Sequence, residues 1–289
     1  MIKYFNDFKD YQLLDCGDGY KLEKWGKHIL LRPDPIAIWP KQFPNLWNKQ
    51  YPTYIRSNKG GGYWTNIQDL PKHWIINFED LKFKVTPTDF KHTGLFPEQA
   101  INWQWIRTLI NKSTKTNIKV LNLFGYTGAA SLAATSNKVS EIVHVDASKG
   151  AIAWAKENML LSNKQNHCIR FIVDDCNKFV QREIRRNHKY DIIILDPPSY
   201  GRGPSGEMWH LESQLMPLLI NISQLLSNDP IALLLNTYTT NLSNQTLLNC
   251  FNNLNLPKGI LDISEIGIKV ENSSLILPCG TSSRWSYEI

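Results

Sequence analysis

The chain has 289 residues, of which 42% are apolar, and a formal net charge of +6. This length is sufficient for one large or two modest globular domains with a substantial core. No stretch approaches the roughly 18 consecutive apolar residues of a membrane span, and the N-terminus lacks the apolar core of a signal peptide, so we expect a cytoplasmic protein without a membrane segment.

Charge and cysteine content narrow the classes of partner. A positive surplus favours a polyanionic partner such as nucleic acid, although many proteins that never bind nucleic acid carry one too. The five cysteines are scattered without a C-x-x-C pair, which argues against a disulfide framework and a structural zinc site. We therefore expect free thiols and no metal, and the oligomeric state stays open.

The first ninety or so residues predict a small β-rich domain. Two short alternating runs, 11–16 and 20–25, flank an Asp-Gly pair, which supplies the positive φ of a tight hairpin turn. Residues 28–31 predict a further strand. The run 81–86 alternates apolar and polar residues and predicts a half-exposed strand.

Aromatic residues and cations are interleaved between residues 33 and 74. Such a mixture can stack bases and neutralise phosphates, but aromatic side chains can equally fill the core of a small domain. The sequence leaves both interpretations open. The residues are Trp39, Trp47, Tyr51, Tyr54 and Trp64 with Lys41, Lys49, Arg56 and Lys59, beside Gly60, Gly61 and Gly62.

A helix is predicted to begin near Pro97. Proline fits the first turn of a helix, and Glu98 suits the positive end of the helix dipole. Ile101, Trp105 and Leu109 form an apolar stripe at helical spacing.

Strands alternate with helices from residue 118 onward. Repeated β-α alternation requires a parallel sheet covered on both faces, so we predict an α/β domain over 91–289 after the β-rich domain at 1–90. The predicted strands are 118–124, 141–145, 169–173, 192–195 and 231–235, the predicted helices are 128–135, 149–161, 176–184, 211–226 and 244–251, and an antiparallel pair at 259–269 and 283–289 closes the sheet.

The strand at 192–195 ends abruptly at an acid and two prolines. Its four consecutive apolar residues indicate a strand buried on both faces, and the prolines stiffen the backbone beyond it. Ligands of open α/β sheets bind outside the carboxyl ends of the strands, so this platform suits a planar acceptor, although an Asp-Pro turn can follow any buried strand. The candidate catalytic residues are Asp196, Pro197, Pro198, Ser199 and Tyr200.

The turn after the first strand of this sheet is rich in glycine. Gly125 permits a tight turn, and Gly128 lets a ligand or the next helix approach the backbone closely. A dinucleotide site prefers G-x-G-x-x-G to seat a pyrophosphate, whereas here the spacing is G-x-x-G with the bulky Tyr126 between the glycines. The loop therefore suits a ligand without phosphates and disfavours a dehydrogenase.

Acidic residues follow the next two strands. Asp146, about twenty residues past the glycine loop, can accept both hydroxyls of a ribose. Asp174 and Asp175 end the next strand, where a side chain can reach an adenine amine. Each acid alone is often a helix N-cap, but with Asp196 they stand at three successive strand ends beside a glycine loop. Together they predict a ligand that carries adenosine.

These motifs resemble class I S-adenosylmethionine-dependent methyltransferases, and within them the group around bacterial 23S rRNA cytosine carbon-5 and guanine N7 methyltransferases. The resemblance covers about 83–236 well and the N-terminal domain poorly. It implies a Rossmann-like seven-stranded sheet, S-adenosylmethionine as methyl donor with S-adenosylhomocysteine as product, and RNA, with rRNA favoured, as the partner.

The resemblance also implies roles for individual residues. Asp146 would hold the ribose, Asp175 would bind the adenine amine, and the loop 124–128 would cradle the methionine part. The cofactor-binding residues implied are Thr93, Gly94, Phe96, Gln99, Asn122, Phe124, Gly125, Tyr126, Thr127, Gly128, Asp146, Ala147, Ser148, Asn158, Asp175, Cys176 and Asp196.

One departure from that group bears on the mechanism. Methylation at pyrimidine carbon-5 needs a cysteine nucleophile, which the group carries just after the fifth strand, whereas this chain has Asn-Thr-Tyr-Thr-Thr at 236–240. We therefore predict direct transfer to a heteroatom, with a base nitrogen favoured. Asp196 and the Pro197 carbonyl would orient the acceptor group.

The glycine-rich segment 201–210 is predicted to be a lid over the acceptor. Arg202 is a candidate phosphate contact, and Trp209 and His210 are further candidate substrate-binding residues; His210 can also serve as a helix cap. Two other functions stay open, a methyltransferase for a small molecule or a protein, and an RNA-binding module that keeps the cofactor pocket without turnover.

Overall fold

A computed structural model describes residues 2–57, 61–89, 91–238 and 242–287. Contacts between residues divide the chain into two compact units. The amino-terminal unit contains Ile2–Ile101 with Ile266–Cys279, and the sheet unit contains Asn102–Glu265 with the chain from Gly280 onward. Lys59 and Gly60 of the aromatic segment, Thr239 and Thr240, and the end of the last predicted strand at 288–289 lie outside the described residues.

The amino-terminal unit consists of a five-stranded sheet and a separate hairpin. The predicted strands at 11–16, 20–25, 28–31 and 81–86 are confirmed, while the strand that pairs with the last of them was not predicted. The five-stranded sheet has the order β1 (Tyr11–Gly17), β2 (Tyr20–Trp25), β3 (His28–Pro33), β4 (Thr53–Arg56) and β5 (Gly62–Thr65), and the hairpin joins β6 (Trp74–Phe78) to β7 (Leu81–Val85).

Residues 266–279 complete this unit from far along the sequence. Lys3 forms a parallel bridge with Ile266, and Leu13 forms one with Val270. The Glu271 amide donates a hydrogen bond to the Leu13 carbonyl at 2.8 Å. The unit is thus assembled from two separate stretches of chain, and the domain boundary near residue 90 stays a prediction.

The aromatic side chains between residues 33 and 74 use many of their polar atoms inside this unit. Tyr54 is buried, whereas Tyr63 is 59% exposed. The indole N–H groups donate from Trp39 to the Cys16 carbonyl at 2.9 Å, from Trp47 to Asp15 at 2.8 Å and from Trp64 to the Thr88 carbonyl at 2.8 Å. These contacts support a packing role for the three tryptophans, because internal acceptors already fix the orientation of each indole.

The helix predicted near Pro97 starts there as a short 3-10 turn, Pro97–Gln99, and continues as α1 (Ala100–Lys112). Its buried apolar residues are Ala100, Trp103, Ile106 and Ile110. The predicted stripe of Ile101, Trp105 and Leu109 is partly buried, and Trp105 and Leu109 pack against the apolar cluster that contains Ile106. The helix is apolar on both of these adjacent faces, and spacing alone could not decide which of them packs against the sheet.

The sheet unit contains the predicted seven-stranded sheet, and the α/β fold class is confirmed. Strand order is β10-β9-β8-β11-β14-β16-β15, parallel from β10 to β14, with β16 antiparallel to β14. The elements are β8 (Ile118–Leu123), α2 (Ala129–Ala133), β9 (Val139–Asp146), α3 (Lys149–Leu161), β10 (Ile169–Val173), α4 (Cys176–Arg185), β11 (Ile192–Leu195), β12 (Tyr200–Arg202), β13 (Met208–His210), α5 (Leu211–Ser223), β14 (Ala232–Thr237), α6 (Asn244–Asn252), β15 (Gly259–Lys269) and β16 (Ile276–Tyr287).

Strand β11 lies at the centre of this sheet and is buried at every position. Ile193 and Leu195 pack into one apolar cluster with Trp209, whereas Ile192 and Ile194 pack into another on the opposite face. The continuous apolar run is thereby explained, since a central strand covered on both faces has no solvent-facing position.

Two segments differ from the prediction. The glycine-rich stretch 201–210, predicted as a lid loop, folds with Tyr200 into the antiparallel hairpin of β12 and β13. Strand β16 begins at Ile276, seven residues before the predicted start at 283. Within the part of the chain that the structure describes, no helix is long and apolar enough to cross a membrane.

Candidate active site

The loop after β8 holds two aromatic residues in the left-handed backbone region. Phe124 has φ of 56° and Tyr126 has φ of 50°, and such conformations cost a non-glycine residue roughly 1–3 kcal/mol. Gly125 lies between them against the imidazole of His144, where an added Cβ would come within 2.4 Å of Cε1. Only glycine fits at this position.

The neutral imidazole ring of His144 packs against the glycine loop. It is fully buried, and burial lowers its pKa to about 4. Its Nδ1 lies 2.9 Å from the Ser131 hydroxyl, which also accepts a hydrogen bond from the Asn122 amide at 2.9 Å. Asn122, predicted to bind the cofactor, is thus fully buried. His144 was not selected from the sequence, because it is marked there only by its place in a predicted strand.

Asp146 ties the glycine loop to the start of α3. Its Oδ2 accepts a hydrogen bond from the Tyr126 amide at 2.8 Å, and its Oδ1 accepts one from the Ser148 amide at 2.8 Å. Burial raises the pKa of Asp146, while these two bonds oppose the rise. Each carboxylate oxygen has further lone pairs, so Asp146 can still accept hydrogen bonds from hydroxyl groups.

Helix α3 holds the other side of the loop. The buried Asn158 donates a hydrogen bond from Nδ2 to the Thr127 carbonyl at 2.9 Å. Gly128 has φ of 91°, and an added Cβ there would lie 3.0 Å from the Ala155 Cβ. Ser148 caps the helix, because its hydroxyl accepts from the Ala151 amide at 3.2 Å. The structure therefore brings Thr127, Gly128, Ser148 and Asn158 together around this loop.

The acid after β10 acts as a helix cap. Asp175 Oδ1 accepts a hydrogen bond from the Lys178 amide at 2.9 Å at the start of α4. The next residue, Cys176, is buried, and burial raises the pKa of its thiol well above the usual value. All five cysteines are free, which confirms that expectation.

Asp196 lies half-buried directly after β11. The hydroxyl of Tyr238, which follows the neighbouring strand β14, donates a hydrogen bond to its Oδ2 at 3.4 Å. Pro197 is buried, whereas Pro198 and Ser199 are exposed. The sequence reasoning did not select Tyr238, although it lies in the five-residue stretch where the resembling group carries its cysteine.

The hairpin beyond Ser199 presents one polar and aromatic face outward. Tyr200 pairs with His210, and Arg202 pairs with Met208, so these four side chains share a face. The Tyr200 ring is 48% exposed and lies 5.1 Å from the His210 ring. Arg202 Nε donates to the Tyr200 hydroxyl at 3.3 Å.

Trp209 lies on the opposite face of the hairpin and is only 4% exposed. Its indole N–H donates to the Pro198 carbonyl at 2.6 Å. The ring centre lies 5.0 Å from that of Phe124 in the glycine loop. Of the three predicted substrate-binding residues, Arg202 and His210 are exposed and Trp209 is buried.

Four of the predicted cofactor residues belong to the amino-terminal unit, whereas Ala147 follows β9 in the sheet unit. Thr93 is fully buried, and its hydroxyl has no hydrogen-bond partner among the residues that the structure describes. Gly94 has φ of 97°, a conformation that favours glycine. Phe96 lies 5.1 Å from the His92 ring, and Gln99 is buried.

A seven-stranded sheet of this order, with a glycine loop that lacks the dinucleotide spacing and acids at successive strand ends, is a class I methyltransferase fold. A family model described as S-adenosylmethionine-dependent methyltransferase matches residues 58–234, and the chain belongs to this family. The expected enzyme class and the expected cofactor, S-adenosylmethionine, are thereby confirmed.

Individual relatives agree with this family. The chain is similar to a crystal structure of an S-adenosylmethionine-dependent methyltransferase from Agrobacterium tumefaciens, with 33% identity, a TM-score of 0.93 and coverage of 100% of this chain and 94% of that one. It is also 30% identical over 200 residues to a ribosomal RNA large subunit methyltransferase K/L of Shewanella baltica, covering 69% of this chain and 26% of that relative. The corresponding protein of Buchnera aphidicola is 34% identical over 157 residues, which are 54% of this chain and 21% of that one. The chain thus spans about a quarter of the length of these curated relatives.

Proposed function

We propose that this enzyme transfers a methyl group directly to a heteroatom of RNA, with ribosomal RNA favoured and a base nitrogen as the favoured acceptor. The observation that carries the proposal is Asp196, held at the end of β11 by Tyr238 and followed by two prolines. The names of the curated relatives support a ribosomal RNA substrate. A cytoplasmic location goes with that substrate.

The residues around the glycine loop fit S-adenosylmethionine. Asp146 is anchored by two backbone amides and retains lone pairs for ribose hydroxyls, and Asp175 stands at the next strand end for the adenine. Because an added Cβ at Gly125 would meet the His144 ring, only glycine lets the loop pack this closely against β9. For Thr93, Gly94, Phe96 and Gln99, and for Ala147 and Cys176, the cofactor role stays a prediction. When bound, this cofactor supplies an electrophilic methyl group.

Asp196 then has to orient the acceptor. Its carboxylate can accept a hydrogen bond from an amino or imino group and so direct the nitrogen lone pair, and alignment of this kind contributes roughly 7–11 kcal/mol to catalysis. The Pro197 carbonyl can assist, because the proline ring restricts the backbone there. No covalent partner is needed for such a transfer.

Cys176, Cys250 and Cys279 are buried or partly buried, which supports a mechanism without a protein adduct. Burial raises the pKa of the Cys176 and Cys279 thiols well above the usual value, and it also raises that of Cys250. A thiolate is the nucleophilic form, so these thiols are poor nucleophiles near neutral pH. Variants Cys250→Ser and Cys279→Ser should therefore keep their turnover.

The outer face of the hairpin suits a nucleotide that is not base-paired. The exposed Tyr200 and His210 rings can stack a base, and Arg202 beside them can contact a phosphate. A target within a duplex would have to be extruded first. Binding should then weaken steeply with salt, because phosphate contacts release counterions.

The test is transfer of labelled methyl groups to fractionated RNA, protein and metabolites from cells that lack this gene. We expect label in the RNA fraction. Asp196→Ala should lower kcat/KM by at least about 100-fold, the low end of the contribution of a positioned acid or base. Its Kd for S-adenosylhomocysteine should stay near wild type, and Asp229→Asn, an exposed carboxylate of the same unit, serves as the control.

Other outcomes contradict the proposal in distinct ways. Label in the protein or metabolite fraction contradicts the RNA substrate. Binding of S-adenosylhomocysteine and of RNA without transfer to any fraction favours the binding module. Loss of turnover in Cys250→Ser, with cofactor binding retained, contradicts direct transfer.

A further inference from the structure

Trp209 connects the two halves of the site. Within the hairpin, the neighbouring positions Met208 and His210 are exposed, whereas Trp209 turns inward and belongs to the same apolar cluster as Leu195 of β11. Its ring therefore lies between the strand that carries the acceptor platform and the loop that forms the cofactor site.

The first contact fixes the acceptor platform. The indole N–H donates to the Pro198 carbonyl at 2.6 Å, two residues after Asp196. The Ser199 carbonyl next to it accepts from the Leu211 amide at 3.0 Å, so two successive carbonyls are held from the hairpin and from α5. Because both carbonyls accept hydrogen bonds, the backbone after the two prolines is held in one orientation.

The second contact fixes the cofactor loop. The Trp209 ring packs against Phe124, with 5.0 Å between ring centres and 53° between ring planes. Phe124 has φ of 56°, and a strained residue of this kind persists only when its surroundings hold it in place. Trp209 is one of those surroundings, so a displacement of Phe124 would also displace the indole.

We infer that Trp209 is a positioning residue that couples occupancy of the cofactor loop to the order of the acceptor hairpin. The inference deepens the proposed function and rests on it. Because coupling between two sites is reciprocal, an ordered hairpin with acceptor bound must also strengthen cofactor binding by the same factor. The enzyme thus presents its acceptor face in full only when a cofactor occupies the loop.

Hydrogen exchange of the peptide 199–210, followed by mass spectrometry with and without S-adenosylhomocysteine, tests this coupling. The probe is added at saturation for each variant, so that a change in affinity cannot alter occupancy. In the wild type, we expect the probe to slow exchange in this peptide by at least about fivefold, the low end of coupling between sites. In Trp209→Leu, the probe should still bind, but the slowing should be lost.

Two further variants separate coupling from general destabilisation. Trp209→Phe keeps a buried ring but has no N–H for the Pro198 carbonyl, and it should also lose the slowing. Met208→Leu changes the adjacent outward-facing side chain and should keep it.

Each unfavourable outcome has its own meaning. A wild-type enzyme that binds the probe without slowing the peptide, or Trp209 variants that retain the slowing, would overturn the coupling and leave the proposed function standing. A wild-type enzyme that does not bind S-adenosylhomocysteine overturns the proposed cofactor site, and the coupling with it.

Discussion

Replacing Gly125 by alanine tests whether the glycine loop, 124–128, packs directly against the His144 ring. The added Cβ would lie 2.4 Å from Cε1 and 2.5 Å from Nδ1. The His144 ring cannot move away easily, because it is hydrogen-bonded to Ser131 and its centre lies 5.2 Å from that of the Phe171 ring. Overpacking a filled core costs about 1–3 kcal/mol, and we expect the free energy of unfolding to fall by that amount. If the loop takes up the whole cost, Kd for S-adenosylhomocysteine rises about 5- to 150-fold.

Titration calorimetry with S-adenosylhomocysteine and urea unfolding at pH 7.5 measure the two effects. Gly150→Ala is the matched control, since its Cβ would meet nothing nearer than the Ser148 hydroxyl at 3.7 Å and a helical alanine is up to about 1 kcal/mol more stable than glycine. That variant should bind as the wild type does. If Gly125→Ala also kept wild-type stability and affinity, the loop would not be seated on His144.

Two further predictions concern stability. Burial lowers the pKa of both His144 and His92 to about 4, against 6.5 for an unperturbed histidine. The unfolded chain therefore binds more protons between these values, and the free energy of unfolding should fall as the pH drops from about 6.5 to 4, by about 3 kcal/mol from His144 at 1.36 kcal/mol per pKa unit. His144→Gln should show a smaller loss in urea unfolding at several pH values; an equal loss would contradict the assignment. Asp191→Ala removes a buried carboxylate that accepts hydrogen bonds from three donors, including Lys115 Nζ at 2.5 Å, and should lower the free energy of unfolding by about 3 kcal/mol in the same assay. Lys178→Ala, which removes an exposed ion pair, should lower it much less. Similar losses in these two variants would refute the importance of burial.

Local patterns were sufficient to predict most elements of the sheet unit. Helix α3 and strands β10 and β15 have the predicted bounds, and β11 was predicted from its apolar run alone. In each case, the signal lies within one segment, as helical periodicity or as a β-branched run between polar residues. The fold class follows from their alternation.

Pairing between distant or short segments could not be predicted in the same way. Strand β16 begins within a stretch that contains Pro278 and Gly280, residues that favour a loop when its neighbours in the sheet are unknown. The inward orientation of Trp209 depends on the register of two three-residue strands, and a shift by one residue would turn it outward.

The same difference between local and long-range signals applies to the candidate site. Asp146, Asp175 and Asp196 could be predicted from their positions at strand ends, because the topology brings the carboxyl ends of parallel strands together. His144 and Tyr238 could not be predicted, because their roles depend on contacts between strands. The His144 ring packs against Gly125, and the Tyr238 hydroxyl donates a hydrogen bond to Asp196. Contacts of this kind leave no periodic trace in a sequence.

The pairing of Lys3 and Leu13 with residues in 266–279 also determines when the amino-terminal unit can complete its contacts during synthesis. Lys3 and Leu13 find their partners Ile266 and Val270 about 260 positions later, and a ribosome that adds 5–20 residues per second needs roughly 10–50 s to reach them. Until then, the outer edge of β1 lacks those bridges and can pair with other chains. Strand β1 therefore stays without these partners until roughly 260 further residues have been synthesised.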